Sequence, residues 1–290
     1  MKYSKPPLTY PDQLALLIGR NLTCTDPGRA LEWLRRVGYY RLSGYFLPFR
    51  IPGTDDFRPG VTLDDVVNLY KFDCGLRLLT LQAMDRIEVG VRAVITYQLS
   101  HSLGVFGYAD PKNFAASYNH ADLMKTIAVE EGRSAELFVA HYRTKYTAEP
   151  FLPIWMATEL ISFGTLSRMF KNLANTPLKK NVAWEFGQPE AVFSSWLHVL
   201  SIIRNGCAHH SRLWNKELAV KPLYPKAWHK AGVSNRRFYG IAVIIQTLLN
   251  QVSPRSRWKQ RFKAHLDAYP TVDIAHMHFP ANWKQQSPWV

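Results

Sequence analysis

The run Arg204-Asn205-Gly206-Cys207-Ala208-His209-His210-Ser211-Arg212-Leu213-Trp214-Asn215 holds two histidines, two arginines and two asparagines in twelve residues, directly after the apolar stretch Trp196 to Ile203. Arginine is permanently cationic and grips phosphate through parallel hydrogen bonds, whereas histidine both takes and gives protons near neutrality. Together they suit cleavage of an RNA phosphodiester. A base removes the 2′-hydroxyl proton, the freed oxygen attacks the adjacent phosphorus, and an acid protonates the leaving 5′ oxygen. That chemistry requires neither a metal ion nor a protein nucleophile.

The spacing sets a geometric condition. In an unbroken helix Asn205 and His209 lie one turn apart on one face, as do His209 and Arg212, while Arg204 and His209 point about 140° apart. Either Gly206 loosens the helix, glycine being the weakest helix former after proline, or the arginine and histidine of two chains complete each site. The second arrangement, with some of the first, is expected. Two other readings compete with catalysis. His209 could serve as a helix cap or in a buried hydrogen-bond network. Cys207, His209 and His210 could bind zinc, but adjacent histidines diverge on a helix and no second Cys/His cluster has metal spacing. No metal site and no cofactor is expected.

The elements that must position this cluster read as helical. Asp26 before Pro27 is an N-cap followed by proline at the first helical position, which predicts a short helix over Pro27 to Val37. From Asp64 to Ser100 the residues Val67, Tyr70, Leu76, Leu79, Ala83, Ile87 and Val91 recur every three or four positions, as one face of a long helix. Asp73 with Arg77 and Glu88 with Arg92 sit four apart, acid first, the favourable order for helical ion pairs. Helical patterning resumes over Asp122 to Tyr142, Pro153 to Leu173, Glu190 to Arg204, Asn235 to Gln251 and Ser256 to Ala268. Only Phe46 to Arg50 and Ala219 to Leu223 alternate like strands. The C-terminal stretch, rich in proline and tryptophan, has no helical period and is expected to cap the core by aromatic packing. The fold class is therefore all-α, a helical bundle. No composition shift or linker divides the chain; residues 1–60 read as an N-terminal elaboration, turn-rich after its helix, packed on a core of residues 61–290.

With 290 residues, 47% of them hydrophobic, the chain can bury one large core or two modest ones. The 36 Lys+Arg against 22 Asp+Glu give a formal charge of +14, which favours a polyanionic partner, nucleic acid first. A basic surface serving solubility alone is the alternative. Cys24, Cys74 and Cys207 are far apart and form no C-x-x-C pair, which fits a reducing cytoplasm rather than a disulfide framework. Met1 to Pro7 lacks the apolar core of a signal peptide, and Ile241 to Leu249, broken by Gln246, is too short for a bilayer. A soluble cytoplasmic protein with no membrane partner is expected. No P-loop, G-x-G-x-x-G element or Ser-His-Asp arrangement supports an NTPase, dehydrogenase or protease.

The segment Arg204-Asn205-Gly206-Cys207-Ala208-His209 is similar to the Arg, Asn, spacer, His signature of the HEPN superfamily of ribonucleases. More broadly, the chain resembles the Abi (abortive infection) family of the AbiD/AbiF type. The matching blocks are Gly38-Tyr39-Tyr40-Arg41-Leu42-Ser43-Gly44-Tyr45, Leu69-Tyr70-Lys71-Phe72-Asp73 to Arg77, Arg86-Ile87-Glu88-Val89-Gly90-Val91-Arg92, Ser162-Phe163-Gly164-Thr165-Leu166-Ser167, Arg204 to Asn215, and Phe279-Pro280-Ala281-Asn282-Trp283. An isolated R-x4-H match arises often by chance; the ordered set spanning nearly the whole chain carries the resemblance. Gly206 and Gly90 stand where bulkier residues are expected and are read as softening their helices.

The resemblance implies a HEPN-type helical core, metal-free cleavage of RNA to 2′,3′-cyclic phosphate and 5′-hydroxyl ends, and a toxin-like role in phage defence or growth arrest. It also implies a homodimer in which the arginine and histidine of both protomers meet in one cleft. By this mapping His209 transfers the proton, Arg204 stabilises charge on the phosphate, Asn205 orients one or the other, and His210 matches the family's second histidine with its role open. Glu88, Arg92 and Glu159 are either solvated groups or residues that order Arg204 from behind. Tyr40 and Arg41, from an aromatic and basic stretch that reads equally well as core, and Arg212 are candidate RNA contacts. The basic stretches Asn235 to Arg237 and Arg255 to Lys263 are solvated faces or an extended phosphate track. The alternative function is a non-catalytic module holding a structured small RNA or a partner in a defence or toxin–antitoxin system, with the cluster as a phosphate clamp.

Overall fold

The computed structural model describes residues 2, 4 and 6–290, so the reading of Met1 to Pro7 falls partly outside the described residues. Among these the chain forms thirteen α-helices and no strand: α1 (Tyr10–Gly19), α2 (Pro27–Arg36), α3 (Tyr39–Ser43), α4 (Leu63–Leu103), α5 (His120–Arg133), α6 (Leu137–Lys145), α7 (Ile154–Leu160), α8 (Phe163–Lys171), α9 (Thr176–Trp184), α10 (Glu190–Ala208), α11 (Lys226–Lys230), α12 (Phe238–Val252) and α13 (Trp258–Asp267). The all-α expectation holds. No helix among the described residues is long and apolar enough to cross a membrane.

The predicted start of α2 is built as read, the Asp26 carboxylate accepting from the Arg29 amide at 2.9 Å with Pro27 in the first turn. Two long helical readings are each corrected to a pair of helices. At Ile161 and Ser162 the backbone turns extended, and the Ser162 hydroxyl caps α8 by accepting from the Thr165 amide at 3.2 Å. Serine side chains compete for backbone donors in this way. Ser134 interrupts the other run, accepting from the Glu136 amide at 3.2 Å between α5 and α6.

Neither expected strand forms. Leu47–Phe49 is a 3-10 turn in which Pro48 lacks a donor, and 219–223 is irregular. Only isolated bridges occur among the described residues, such as Arg50 with Phe57.

The chain divides into two compact units. One extends as far as Arg77 and includes Phe262–Asp273; the other comprises Leu78–Arg261 and Ile274–Val290. In the first, the expected Asp73–Arg77 pair lies in the core rather than on a wet face, with Asp73 fully buried and Arg77 paired to it. The Tyr45 hydroxyl donates to Asp73 at 2.7 Å, and Arg77 donates to that hydroxyl at 3.3 Å. Burial, with Asp73 adding to it, pushes the Tyr45 phenol well above its ordinary value.

In the second unit α10 packs against α8 and α9, and Phe193, Trp196, Leu197 and Leu200 form its buried stripe. α12 is almost wholly buried. Gly90 on α4 has a packing reason rather than a softening one. A Cβ there would meet Val252 Cγ1 of α12 at 2.7 Å, so only glycine admits that side chain. The C-terminal stretch caps this unit as expected, with Trp289 fully buried against Trp283 at 5.2 Å and Phe279 against Tyr239 at 4.9 Å.

Candidate functional site

The candidate cluster sits where α10 stops. Arg204, Asn205 and Gly206 are helical, and the helix remains regular through Gly206 to Ala208. His209 is the C-cap, with φ −89° and ψ 17°, its amide still donating to the Asn205 carbonyl at 2.9 Å. His210 follows in the left-handed region at φ 58°. The Ser211 amide donates to the Gly206 carbonyl at 2.7 Å and the His210 amide to the Cys207 carbonyl at 3.0 Å, the two bonds of a Schellman motif with histidine where glycine is usual. A Cβ on Gly206 would lie 3.7 Å from Ser211 Cβ, ordinary contact, so this glycine is not what ends the helix.

Two expectations change as a result. His209 and Arg212 are not partners one turn apart on a helix, because the helix has ended before both. Gly206 does not loosen the helix to bring Arg204 toward His209, so their divergence of about 140° stands. His209 and His210 are exposed, whereas Cys207 is buried beneath them. Beyond the cap the chain is pinned by buried Leu213 and Trp214, the latter edge-on to His276 at 5.4 Å. A helix C-terminus carries partial negative charge, so it offers a phosphate no backbone attraction. Any attraction for an anion here therefore comes from side chains.

Arg204 has an anchor in α4. Its Nε lies 3.7 Å from Glu88 Oε2, while the other carboxylate oxygen accepts from Arg92 Nη2 at 2.8 Å. Arg92, 8% exposed, also donates through Nη1 to the Ile161 carbonyl at 3.1 Å. That carbonyl is available because α7 and α8 are separate helices. The break at Ile161–Ser162 thus fixes Arg92, Arg92 fixes Glu88, and Glu88 holds Arg204 by its Nε edge. Arg204 Nη1 donates to Asn205 Oδ1 at 3.3 Å, and the Arg204 side chain is 43% exposed. One edge of the guanidinium is held and the side chain still reaches water, a geometry suited to gripping an anion.

The remaining candidates are placed as follows. Arg212 is half-buried beside the cap. Glu159 is exposed on α7 and lines an open cleft with Glu130, Arg133 and Glu136; among the described residues it forms no ion pair, and it does not join the Glu88–Arg92–Arg204 chain. Tyr40 and Arg41 are exposed on α3, which belongs to the first unit. Tyr40 is 91% exposed, whereas Tyr45 and Phe46 of the same stretch are buried, so the core reading holds for those two and not for Tyr40. Arg237 donates to the side-chain oxygen of Asn215, tying the basic stretch before α12 to the end of the cluster segment.

Sequence reasoning missed the Ile161 carbonyl as a partner for Arg92. The signal was present in Ser162, an N-cap residue type directly before the apolar Phe163, a helix start inside what reads as one helix.

A family model described as Abi-like protein matches residues 32–215, more than half of the chain and including the whole Arg204 to Asn215 segment. No curated protein and no solved structure matches the chain at a significant level. The chain belongs to the family of Abi-like proteins.

Proposed function

We propose that this protein is a metal-independent endoribonuclease of the HEPN type, of the AbiD/AbiF kind, acting as a homodimer in abortive-infection defence. The observation that carries the proposal is the end of α10, where an arginine braced by Glu88 and two exposed histidines share one short segment. His209 of one protomer accepts the 2′-hydroxyl proton and the 2′ oxygen bonds to phosphorus. The bond from phosphorus to the 5′ oxygen breaks, and that oxygen takes a proton from the partner's His209. The products are a 2′,3′-cyclic phosphate and a 5′-hydroxyl. Arg204 stabilises the charge that builds on the phosphate, Asn205 orients the guanidinium, and Glu88 and Arg92 are positioning residues. The divergence of Arg204 and His209 within one chain supports a site built from two copies.

Purified protein incubated with a single-stranded RNA in excess chelator tests this. Cleavage to cyclic-phosphate ends is expected for the wild type, with a loss of about 10²- to 10³-fold for Arg204→Ala and comparable loss for His209→Ala. Undiminished cleavage by His209→Ala overturns the mechanism.

A second reading is favoured by the exposure of Tyr40 beside Arg41, the aromatic and cationic pair of a single-strand contact. In that reading the chain is an RNA clamp without turnover, holding a structured small RNA. Arg204→Ala then loses affinity while His209→Ala retains its biological effect.

A further inference from the structure

The side of α10 turned away from Arg204 borders a hollow. Ile202 and Gly206 each lie two residues from Arg204, hence roughly 160° from it around the helix. With Val199 and Ile203 they form one wall of a cavity of about 70 Å³, closed opposite by Leu213, Leu218 and Phe238. α10 is regular through Ala208, so the His209 Cα still lies on the helical path, seven residues beyond Ile202, two turns along and about 20° from it, although its own φ −89° and ψ 17° leave the helical region. The cavity and His209 therefore share one line of the helix, while Arg204 occupies the other side.

The lining is apolar, but Arg212 and Lys216 border it, with Glu217 the single acid. An apolar slot with cations at its edge, in a chain of net charge +14, complements a flat apolar ring carrying phosphates. Size narrows the choice further. A water needs roughly 10–15 Å³ on this measure, and an engineered apolar cavity of roughly 150 Å³ admits benzene whole. A cavity of about 70 Å³ admits the leading edge of one six-membered ring, with the rest in the mouth.

We infer that this cavity is a nucleobase subsite that seats a pyrimidine adjacent to the phosphate on which His209 acts, and that it sets the base preference of the protein. The role of His209 at that phosphate rests on the ribonuclease reading; the base pocket itself is testable by binding. Gly206 keeps the wall low, since an alanine methyl there would project toward Ser211 and the cavity.

The test is fluorescence anisotropy with labelled oligo(U) and oligo(A) in a His209→Ala parent, which prevents turnover, and in the same protein carrying Gly206→Ala or Ile202→Trp. The parent is expected to bind oligo(U) about tenfold more tightly than oligo(A), within the range a fitted apolar pocket supplies. Each added substitution is expected to bring the two affinities within about twofold. Misfolding does not explain such a loss for Gly206→Ala, because the added methyl finds Ser211 Cβ at an ordinary 3.7 Å and alanine is the better helix former. Absence of a base preference in the parent, or its survival in both variants, overturns the inference. So does a shift of the sedimentation coefficient toward monomer in Ile202→Trp, which would assign the cavity to a side chain of a second copy. Cleavage of RNA by the protein with His209 intact separates the two readings. Selective binding without any cleavage removes the nuclease and leaves the pocket, whereas cleavage without selectivity does the reverse.

Discussion

Glu88→Gln isolates the brace behind Arg204, because it removes a charge and leaves the shape. Two unit charges 3.7 Å apart attract by about 4 kcal/mol at an effective dielectric near 20. Arg204 is 43% exposed, so solvent and salt reduce this to about 1 kcal/mol. That corresponds to a cleavage rate about fivefold lower. Arg92 is more buried and loses a charged acceptor at 2.8 Å, so unfolding free energy falls by about 2 kcal/mol. The assay pairs cleavage of a quenched fluorescent RNA with urea unfolding, in the wild type, in Glu88→Gln, in Arg204→Ala and in the double variant. If Glu88 acts on the reaction through Arg204, Glu88→Gln has no further effect on the rate once Arg204 is alanine, while its stability cost persists. A wild-type rate in Glu88→Gln, or the same fivefold loss in the Arg204→Ala background, refutes the reasoning.

Three further outcomes are expected. Asp73→Ala, which strands the buried Arg77 guanidinium, lowers unfolding free energy by about 3–5 kcal/mol in urea titrations, and Tyr45→Phe lowers it by about 1–2 kcal/mol. His210→Gly relieves the left-handed backbone at φ 58° and raises the unfolding midpoint, by up to about 1 kcal/mol of stability. Stability also falls on acidification: burial holds His265 below the ordinary value of 6.5, and burial with Arg237 and Arg236 does the same for His278. The unfolded chain then binds more protons than the folded one just below pH 6.5, so unfolding free energy rises with pH there. The stabilisation is complete above that pH and is lost as pH drops through the lowered folded values. Urea titrations at pH 7.5 and pH 5 check this, and His265→Gln is expected to flatten the difference.

The long helix α4 was legible because its apolar residues keep one face over many turns, and α2 because Asp26 and Pro27 mark its start. α1 and α9 show little apolar periodicity because each buries only two or three side chains, yet both carry a cap and a proline, Thr9 with Pro11 and Asn175 with Pro177. Capping chemistry finds such short helices where periodicity does not. Each of the two split pairs, α5 with α6 and α7 with α8, reads as one helix because the apolar spacing continues across Ser134 and Ser162.

At the site, the residue types of the Arg204 to Asn215 segment were visible, and so was the divergence of Arg204 from His209. The end of α10 was not, since the residue in the left-handed cap position is His210 rather than a glycine. Which of the two readings of Glu88 holds, and the contact of Arg92 with the Ile161 carbonyl, depend on how the part of α4 from Leu78 onward packs in the second unit. No local pattern encodes them.

The central claim, that the end of α10 cuts RNA, is tested most directly by sequencing RNA ends that carry 2′,3′-cyclic phosphates after induced expression of the wild type and of His209→Ala in parallel. New cyclic-phosphate ends with the wild type alone are predicted, and their positions name the substrate. The same ends with both proteins, or with neither while both still restrain growth, would contradict catalysis by this segment.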